Sequence, residues 1–262
     1  ELVYYDAKDA GGSAVEYTDT ATVISTSGSV SFDRSVYPVP FSSGDLYDGA
    51  GNQSINTESG DVTAWITVSD ADETNDTLTT STGSAKGLIL IKHTNSTGSS
   101  TIATAGSAGG AVDATAGTFA AELGALSELY IGASEYEVSL TISETMSYGD
   151  GTLTVQAGDV ITAEYVDTAD NAGSTSTFYD SSTFDLRTGT LSVDKDVYVM
   201  GSDMVITVTD PDLNLDSTTC ESYAMSLIEW DSSADSSELL NQSDFSSNPS
   251  SLEETGCNNN RS

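Results

Sequence analysis

The sequence predicts an all-β chain built of tandem antiparallel β-sandwich domains, and three observations carry that expectation. A long segment occurs twice. Apolar and polar residues alternate along most candidate strands. The stretches between them are rich in Gly, Asp and Asn.

The repeat is the most informative of the three. Residues 5–37 align without a gap on 166–198, a shift of 161 positions. Asp6, Asp9, Gly12, Ser13, Asp19, Thr22, Gly28, Ser31, Asp33, Val36 and Tyr37 fall on Asp167, Asp170, Gly173, Ser174, Asp180, Thr183, Gly189, Ser192, Asp194, Val197 and Tyr198. Arg34 falls on Lys195 and Val30 on Leu191. The match resumes at a shift of 140, where Ile66-Thr-Val-Ser-Asp70 meets Ile206-Thr-Val-Thr-Asp210, followed by Asp72/Asp212 and Asp76/Asp216. The change of shift places about 21 extra residues in the first copy, between Pro38 and Gly60. A self-match at fixed spacing marks an array of like domains. The expected division is the last strand of a preceding domain in 1–15, a complete sandwich in 16–176, and a partial one with a disulfide-pinned loop in 177–262. On this reading the chain is a slice of a longer protein.

Each element has its own pattern. Val62, Ala64, Ile66 and Val68 alternate with Thr63, Trp65 and Thr67, the period-two signature of a strand with one apolar face. Trp65 then projects from the opposite face, where a neighbouring loop or module is expected to cover it. Leu88-Ile-Leu-Ile91 is a continuous apolar run, as for a strand covered on both sides. Val138, Leu140 and Ile142 alternate with Ser and Thr, as do Leu153 and Val155, then Ile161, Ala163 and Tyr165 across the Gly158-Asp159 turn. Met204, Ile206 and Val208 form the inward set of the second copy. Residues 118–129 carry the one helical pattern, while 98–116 and 231–262 read as long surface loops. Short strands with turn signals every 8–15 residues or so indicate an antiparallel sandwich of immunoglobulin type.

Composition narrows the function. The 41 acidic residues against seven Lys and Arg give a net charge of -34. That field excludes nucleic acid and anionic membrane surfaces as partners and attracts cations. The 75 Ser and Thr residues are typical of secreted stalks and surface layers. No apolar run reaches the ~20 residues needed to span a bilayer, so no direct membrane contact is expected of this segment. Five sequons stand at Asn52, Asn75, Asn95, Asn241 and Asn260, and the two cysteines, Cys220 and Cys257, are expected to form a disulfide. These features point to an extracellular chain.

Catalytic groups are scarce. The single histidine, His93, has no nucleophile elbow near it and reads as a solvated loop or edge residue. No zinc-type Cys/His spacing and no phosphate-binding Gly-rich loop is present, so no enzymatic activity is expected. The acidic clusters carry more information. Asp210, Asp212, Asn214 and Asp216 place oxygens at every second position after a strand, and Asp70, Asp72 and Asp76 form a less regular counterpart. Alternate carboxylates at a strand end suit a hard cation with several oxygen ligands, which makes Ca2+ or another divalent ion the expected cofactor.

The string Gly189-Thr-Leu-Ser-Val-Asp-Lys-Asp-Val-Tyr198, with Gly201-Ser-Asp-Met-Val-Ile-Thr-Val-Thr-Asp-Pro-Asp-Leu-Asn-Leu-Asp216, resembles the repeated modules of archaeal surface-layer proteins, closest to those of ammonia-oxidising archaea. Residues 29–41 and 158–167 look like variants from the same proteins. The resemblance implies a paracrystalline cell-surface lattice of immunoglobulin-like domains, glycosylated and held by divalent cations; the net charge of -34 adds the expectation that openings in such a sheet enrich small cations such as ammonium. Its partners would be further copies in the lattice and neighbouring domains of the same chain. The competing readings are an adhesin or pilus module of cadherin-like type and a non-catalytic appendage of a secreted hydrolase.

Overall fold

The computed structural model describes residues 1–22, 24–42, 60–73, 77–78, 88–106, 121–148, 151–230, 238–239 and 252–253. The strands begin with β1 (Leu2–Asp6), β2 (Val15–Asp19), β3 (Ser29–Phe32), β4 (Val36–Pro38), β5 (Val62–Ser69), β6 (Thr77–Leu78) and β7 (Ile89–Asn95). They continue through β8 (Gly98–Ala105), β9 (Ala121–Glu122), β10 (Leu126–Glu128), β11 (Glu135–Ile142), β12 (Thr145–Tyr148) and β13 (Gly151–Thr154). After β14 (Val160–Asp167), β15 (Ser176–Asp185), β16 (Thr190–Val193) and β17 (Ile206–Thr209) come four two-residue strands: β18 (Ser222–Tyr223), β19 (Glu229–Trp230), β20 (Glu238–Leu239) and β21 (Leu252–Glu253). The described residues contain no α-helix, only the 3-10 turns Pro211–Leu213 and Met225–Leu227.

Two sheets share one hydrophobic core, the arrangement of a β-sandwich. The five-stranded sheet runs β3-β5-β11-β10-β6 and the six-stranded sheet β4-β15-β14-β7-β8-β9. Pairing is antiparallel apart from β4 with β15 and β8 with β9. In β5 the predicted alternation holds: Val62, Ala64, Ile66 and Val68 are fully buried, while Thr63, Trp65 and Thr67 are half-buried on the other face. Register sets these residues opposite Ile142, Leu140, Val138 and Tyr136 of β11. Ile161, Ala163 and Tyr165 of β14 and Ile89 and Ile91 of β7 supply the facing layer. The sheet continues through β15 to Asp185, beyond the division expected at 176.

Three sequence expectations are corrected. Ala121–Glu122 and Leu126–Glu128 are strands, not helix, because Leu126 is fully buried in the core and both segments find edge partners. Cross-strand pairing and burial there outweigh the helix propensity of Ala, Leu and Glu. Gly98–Ala105 is a strand that buries Ile102, Ala103 and Ala105; only the remainder of the expected loop, 107–116, falls outside the described residues. His93 is buried at 1% exposure, since it follows Ile89 and Ile91 on the inward face of β7 and meets the Asp159 carboxylate at 2.8 Å. A buried imidazole needs such a partner.

The sequence repeat is reproduced in backbone geometry. β1 pairs β2 with Tyr4 opposite Tyr17 and Asp6 opposite Val15; β14 pairs β15 with Tyr165 opposite Phe178 and Asp167 opposite Ser176, the same register 161 residues on. β3 on β5 sets Val30 opposite Val68, and β16 on β17 sets Leu191 opposite Val208. The turns agree too. Asp9 N–H reaches Ser13 O at 2.8 Å and Asp170 N–H reaches Ser174 O at 2.8 Å, with Gly12 and Gly173 at φ 79° and 71°. Only glycine takes that left-handed conformation without strain.

Burial differs sharply between copies, and this yields a paired test. Ile66 is fully buried, whereas its counterpart Ile206 is only partly covered. Ile66→Ala is expected to cost about 2–5 kcal/mol in urea unfolding of the sandwich. Ile206→Ala is expected to cost about 1 kcal/mol or less.

Candidate functional site: acidic turns at the ends of the strands

Each copy of the repeat ends a strand in an acidic turn, and each turn grips the segment that leads into its own repeat. In the first copy Asp72 accepts hydrogen bonds from Thr26 N–H at 2.7 Å and Thr26 Oγ1 at 3.1 Å. In the second copy Asp212 accepts from Arg187 N–H at 2.6 Å and Arg187 Nε at 2.9 Å. Asp72 N–H donates to Asp70 at 3.1 Å, and Asp212 N–H to Asp210 at 3.0 Å. One device is built twice, with Thr26 exchanged for Arg187.

The first copy adds a set of buried carboxylates. Asp70 and Asp167 are each 3% exposed. Asp70 accepts Tyr165 Oη at 2.7 Å, and Asp167 accepts Gly28 N–H at 2.9 Å and Ala169 N–H at 2.8 Å. A β carbon on Gly28 would stand 2.6 Å from the Tyr165 ring and 3.0 Å from the Asp70 carboxylate, so the approach requires glycine. Burial, then the Asp70 hydrogen bond and the charges around it, push the Tyr165 phenol well above its ordinary range. Glu73 stands beside this group. Burial and then the fields of Asp70, Asp167 and Asp72 raise its pKa. Asp170 lies at the adjoining turn; hydrogen bonds from the Ser176 hydroxyl and the Ser174 and Ala172 amides lower its pKa.

The second acidic turn packs against the sandwich. Arg34 donates to Asn214 O at 2.7 Å and Asn214 Oδ1 at 2.5 Å. Trp65 Nε1 donates to Asp216 at 2.9 Å, Thr63 N–H to Leu215 O at 3.0 Å, and Ser217 Oγ to Asp33 at 2.6 Å. Leu215 is buried with the core residues. Burial raises the Asp216 pKa, but donors from Thr218 N–H, Trp65 and the Thr218 and Thr219 hydroxyls outweigh it and leave the carboxyl below its ordinary value. The cover expected over Trp65 is therefore the turn at Asp216.

Asp33 holds this end together. It accepts Tyr37 Oη at 2.5 Å and Trp65 N–H at 2.9 Å, and Asp194 repeats the pattern with Tyr198 Oη at 2.5 Å and Val205 N–H at 2.8 Å. For Asp194 these two donors in that order lower the pKa to about 2.

The residues expected to bind a cation thus have separate protein partners. Asp210 caps the 3-10 turn, Asp212 holds Arg187, Asn214 meets Arg34 and Asp216 meets Trp65. Asp70 and Asp72 are neighbours at the first turn, and Asp76 lies outside the described residues. Among the described residues no three His, Cys, Asp or Glu side chains are grouped so as to hold a metal ion. Of the sequons, Asn95 lies in the β7–β8 turn, where its Oδ1 accepts Thr97 N–H at 2.9 Å and Thr97 Oγ1 at 2.6 Å. Asn52, Asn75, Asn241 and Asn260 lie outside the described residues. Cys220 is disulfide-bonded; Cys257, the other cysteine of the sequence, also lies outside them.

Sequence reasoning missed the grip of Asp72 and Asp212 on the preceding segment, and the buried His93–Asp159 pair. For the first, the matched Gly28 and Gly189 were a partial signal: they let the segment pass close to Asp70 and Asp210, two residues before the gripping carboxylates. For the second, period-two continuation of the Ile89, Ile91 series would have placed His93 inward. A scan against protein-family models gives no match, and a search of curated proteins finds no similar sequence.

Two outcomes test this geometry. A raised carboxyl pKa means that the folded state disfavours the ionised form, so stability is greatest below the unfolded pKa and falls as pH rises through the folded one. Glu73→Gln is accordingly expected to raise the melting temperature at pH 7, with the gain fading on acidification through the ordinary Glu range near ~4.3. Removing Arg34 is expected to loosen the Asn214–Ser217 turn. In a Trp230→Phe background, Arg34→Met should red-shift Trp65 emission and speed hydrogen exchange at Leu215, with the sandwich still folded.

Proposed function

We propose that the chain is part of a structural cell-surface lattice, a surface-layer subunit made of tandem immunoglobulin-like sandwiches and stabilised by divalent cations. The single observation that carries this reading is the repeat. The same strand registers and acidic turns are built twice, and each turn engages the segment leading into its repeat. Such construction suits a semi-rigid string of like modules, and the resemblance of residues 189–216 to archaeal surface-layer modules supports the same conclusion.

Cations enter through charge. Copies carrying -34 each repel one another unless ions screen or bind them. Among the described residues no three acidic side chains are grouped to hold one ion, so the proposed role of cations is to screen this charge and bridge neighbouring copies. Sheets with acidic openings would enrich small cations such as ammonium and exclude anions, an effect that fades as salt shortens the Debye length to about 8 Å. Glycans at the sequons and an extracellular location complete the proposal.

Assembly decides between this reading and a cadherin-like adhesin or pilus module. In calcium the protein should form two-dimensional sheets by electron microscopy and release them on chelation. Soluble rods, or fibres that never widen into sheets, would support the alternatives. Calcium binding to the folded state should also raise the melting temperature by mass action. A melting temperature and assembly state both indifferent to chelator would sink the cation role.

A further inference from the structure

The sandwich leaves part of one sheet edge without a strand of its own. β3 pairs with residues 66–69 of β5, and the chain then crosses at 33–35 to join the other sheet as β4. Asp33 serves Trp65 on that edge: its N–H donates to Trp65 O at 3.0 Å and its carboxylate accepts Trp65 N–H at 2.9 Å. The next amide along the same edge is Thr63 N–H, and no described strand of the sandwich lies opposite it there. A backbone donor at a sheet edge needs a partner once it leaves water.

That partner comes from the second repeat, beyond the end of β15 at Asp185. Leu215 O accepts Thr63 N–H at 3.0 Å. The Leu215 side chain, 9% exposed, belongs to the same buried cluster as Phe32, Val62 and Ile66. Around it Arg34 reaches Asn214, Trp65 Nε1 reaches Asp216, and Ser217 Oγ reaches Asp33. The 3-10 turn Pro211–Leu213 lies against β4. The second repeat also holds this turn in shape. Glu221 Oε1 accepts the amides of Leu215 and Asp216 at 2.8 Å and 2.7 Å, and Tyr223 Oη donates to Leu213 O at 2.5 Å. A turn already shaped loses little freedom when it seats.

We propose that the 214–217 turn is a clasp. The second repeat supplies a core side chain and an edge partner that the first sandwich lacks, so the sandwich is complete only with the following repeat seated on it, and the two open as one cooperative unit. The surface formed by Asp33, Arg34, Thr63 and Trp65 thus fits one kind of partner, the acidic turn of the repeat that follows. Relative motion is the default between modules that merely touch; these two share a core residue and a sheet edge, which fixes the joint. No divalent ion takes part in it. The clasp therefore stands apart from the lattice reading, and chelator leaves it closed.

The test is native-state hydrogen exchange of the whole chain with chelator present, read at Ala163. That residue is fully buried in β14, in the sheet opposite β5. Leu215→Ala should speed exchange there roughly thirtyfold or more, the shift in global opening expected from truncating a buried leucine. Leu215→Val, a smaller truncation, should act in the same direction by roughly fivefold. Leu191→Ala, at a 61% exposed position of the same repeat, should change exchange by less than about threefold. Arg34→Lys with Trp65→Val gives the sandwich the residues found at Lys195 and Val205 in the later copy. That pair should release the clasp and speed exchange at Ala163 by itself. Adding Leu215→Ala to it should then contribute less than about threefold more, because groups that act as one unit are not additive. Exchange that quickens only at Thr63 and Leu215, with Ala163 unchanged, would overturn the proposal, since the sandwich would then be complete without the second repeat. So would equal effects of Leu191→Ala and Leu215→Ala, or full additivity of Leu215→Ala with the Arg34 and Trp65 pair.

Discussion

Carboxylates bonded to backbone amides at strand ends are the constraint on which the rest of this structure depends. Asp167 holds the Gly28 amide, Asp180 the Phe32 amide and Asp33 the Trp65 amide, and each bond joins segments far apart in sequence. The chain has few cations with which to pair its 41 acidic residues. Acids inside a strongly negative protein must therefore be satisfied by N–H and O–H donors, and buried carboxylates without such donors would be very costly. The acidic composition and the turn geometry are two sides of one solution. Asp167 ends β14 and Asp33 follows β3, while Asp180 reaches out from within β15; each provides a local acceptor for an amide that has left water.

The few basic residues are placed accordingly. Arg34 and Arg187 each reach an acidic turn of the second repeat, one at Asn214 and the other at Asp212. The planar guanidinium meets two acceptors at once in both cases, which a lysine ammonium does less well. Lys195 replaces Arg34 in the later copy and lies against Asp194 and the Tyr198 ring instead. The later copy also has Val205 where the earlier has Trp65, and so lacks the indole donor that holds Asp216. The two copies share a backbone plan and differ in the side chains that make contacts beyond it.

The contrast between copies also separates local from distant causes. Register, turn conformation and the Asp–Tyr bond recur wherever the motif occurs, even where the surrounding core is missing. Burial does not recur in full: Tyr37 is fully buried while Tyr198 is only half-buried. Strand pairing and Asx-type turns are set by neighbours in sequence and by one partner strand. Burial needs the complete sandwich: Tyr37 packs between Phe32 of the opposite sheet and Phe184 of β15, which lies far along the chain.

The sequence by itself determined the β class, the repeat and its register, and the inward faces of β5, β11 and β14, because period-two patterning and turn chemistry are local. It did not reveal that Gly98–Ala105 and Leu126–Glu128 are strands, since Ser, Thr, Gly and Ala carry little pattern and their state is decided by a partner across the sheet. Nor did it reveal the direction of the acidic side chains. Even spacing of Asp210, Asp212, Asn214 and Asp216 looked like one ligand set, yet the 3-10 turn at Pro211 rotates successive side chains apart. Tertiary structure then gave each a different partner: the cap at Asp212 N–H, then Arg187, Arg34 and Trp65. Spacing along a chain fixes which groups are near one another; only the fold fixes where they point, because direction depends on backbone rotation and on donors from strands that sequence proximity does not identify.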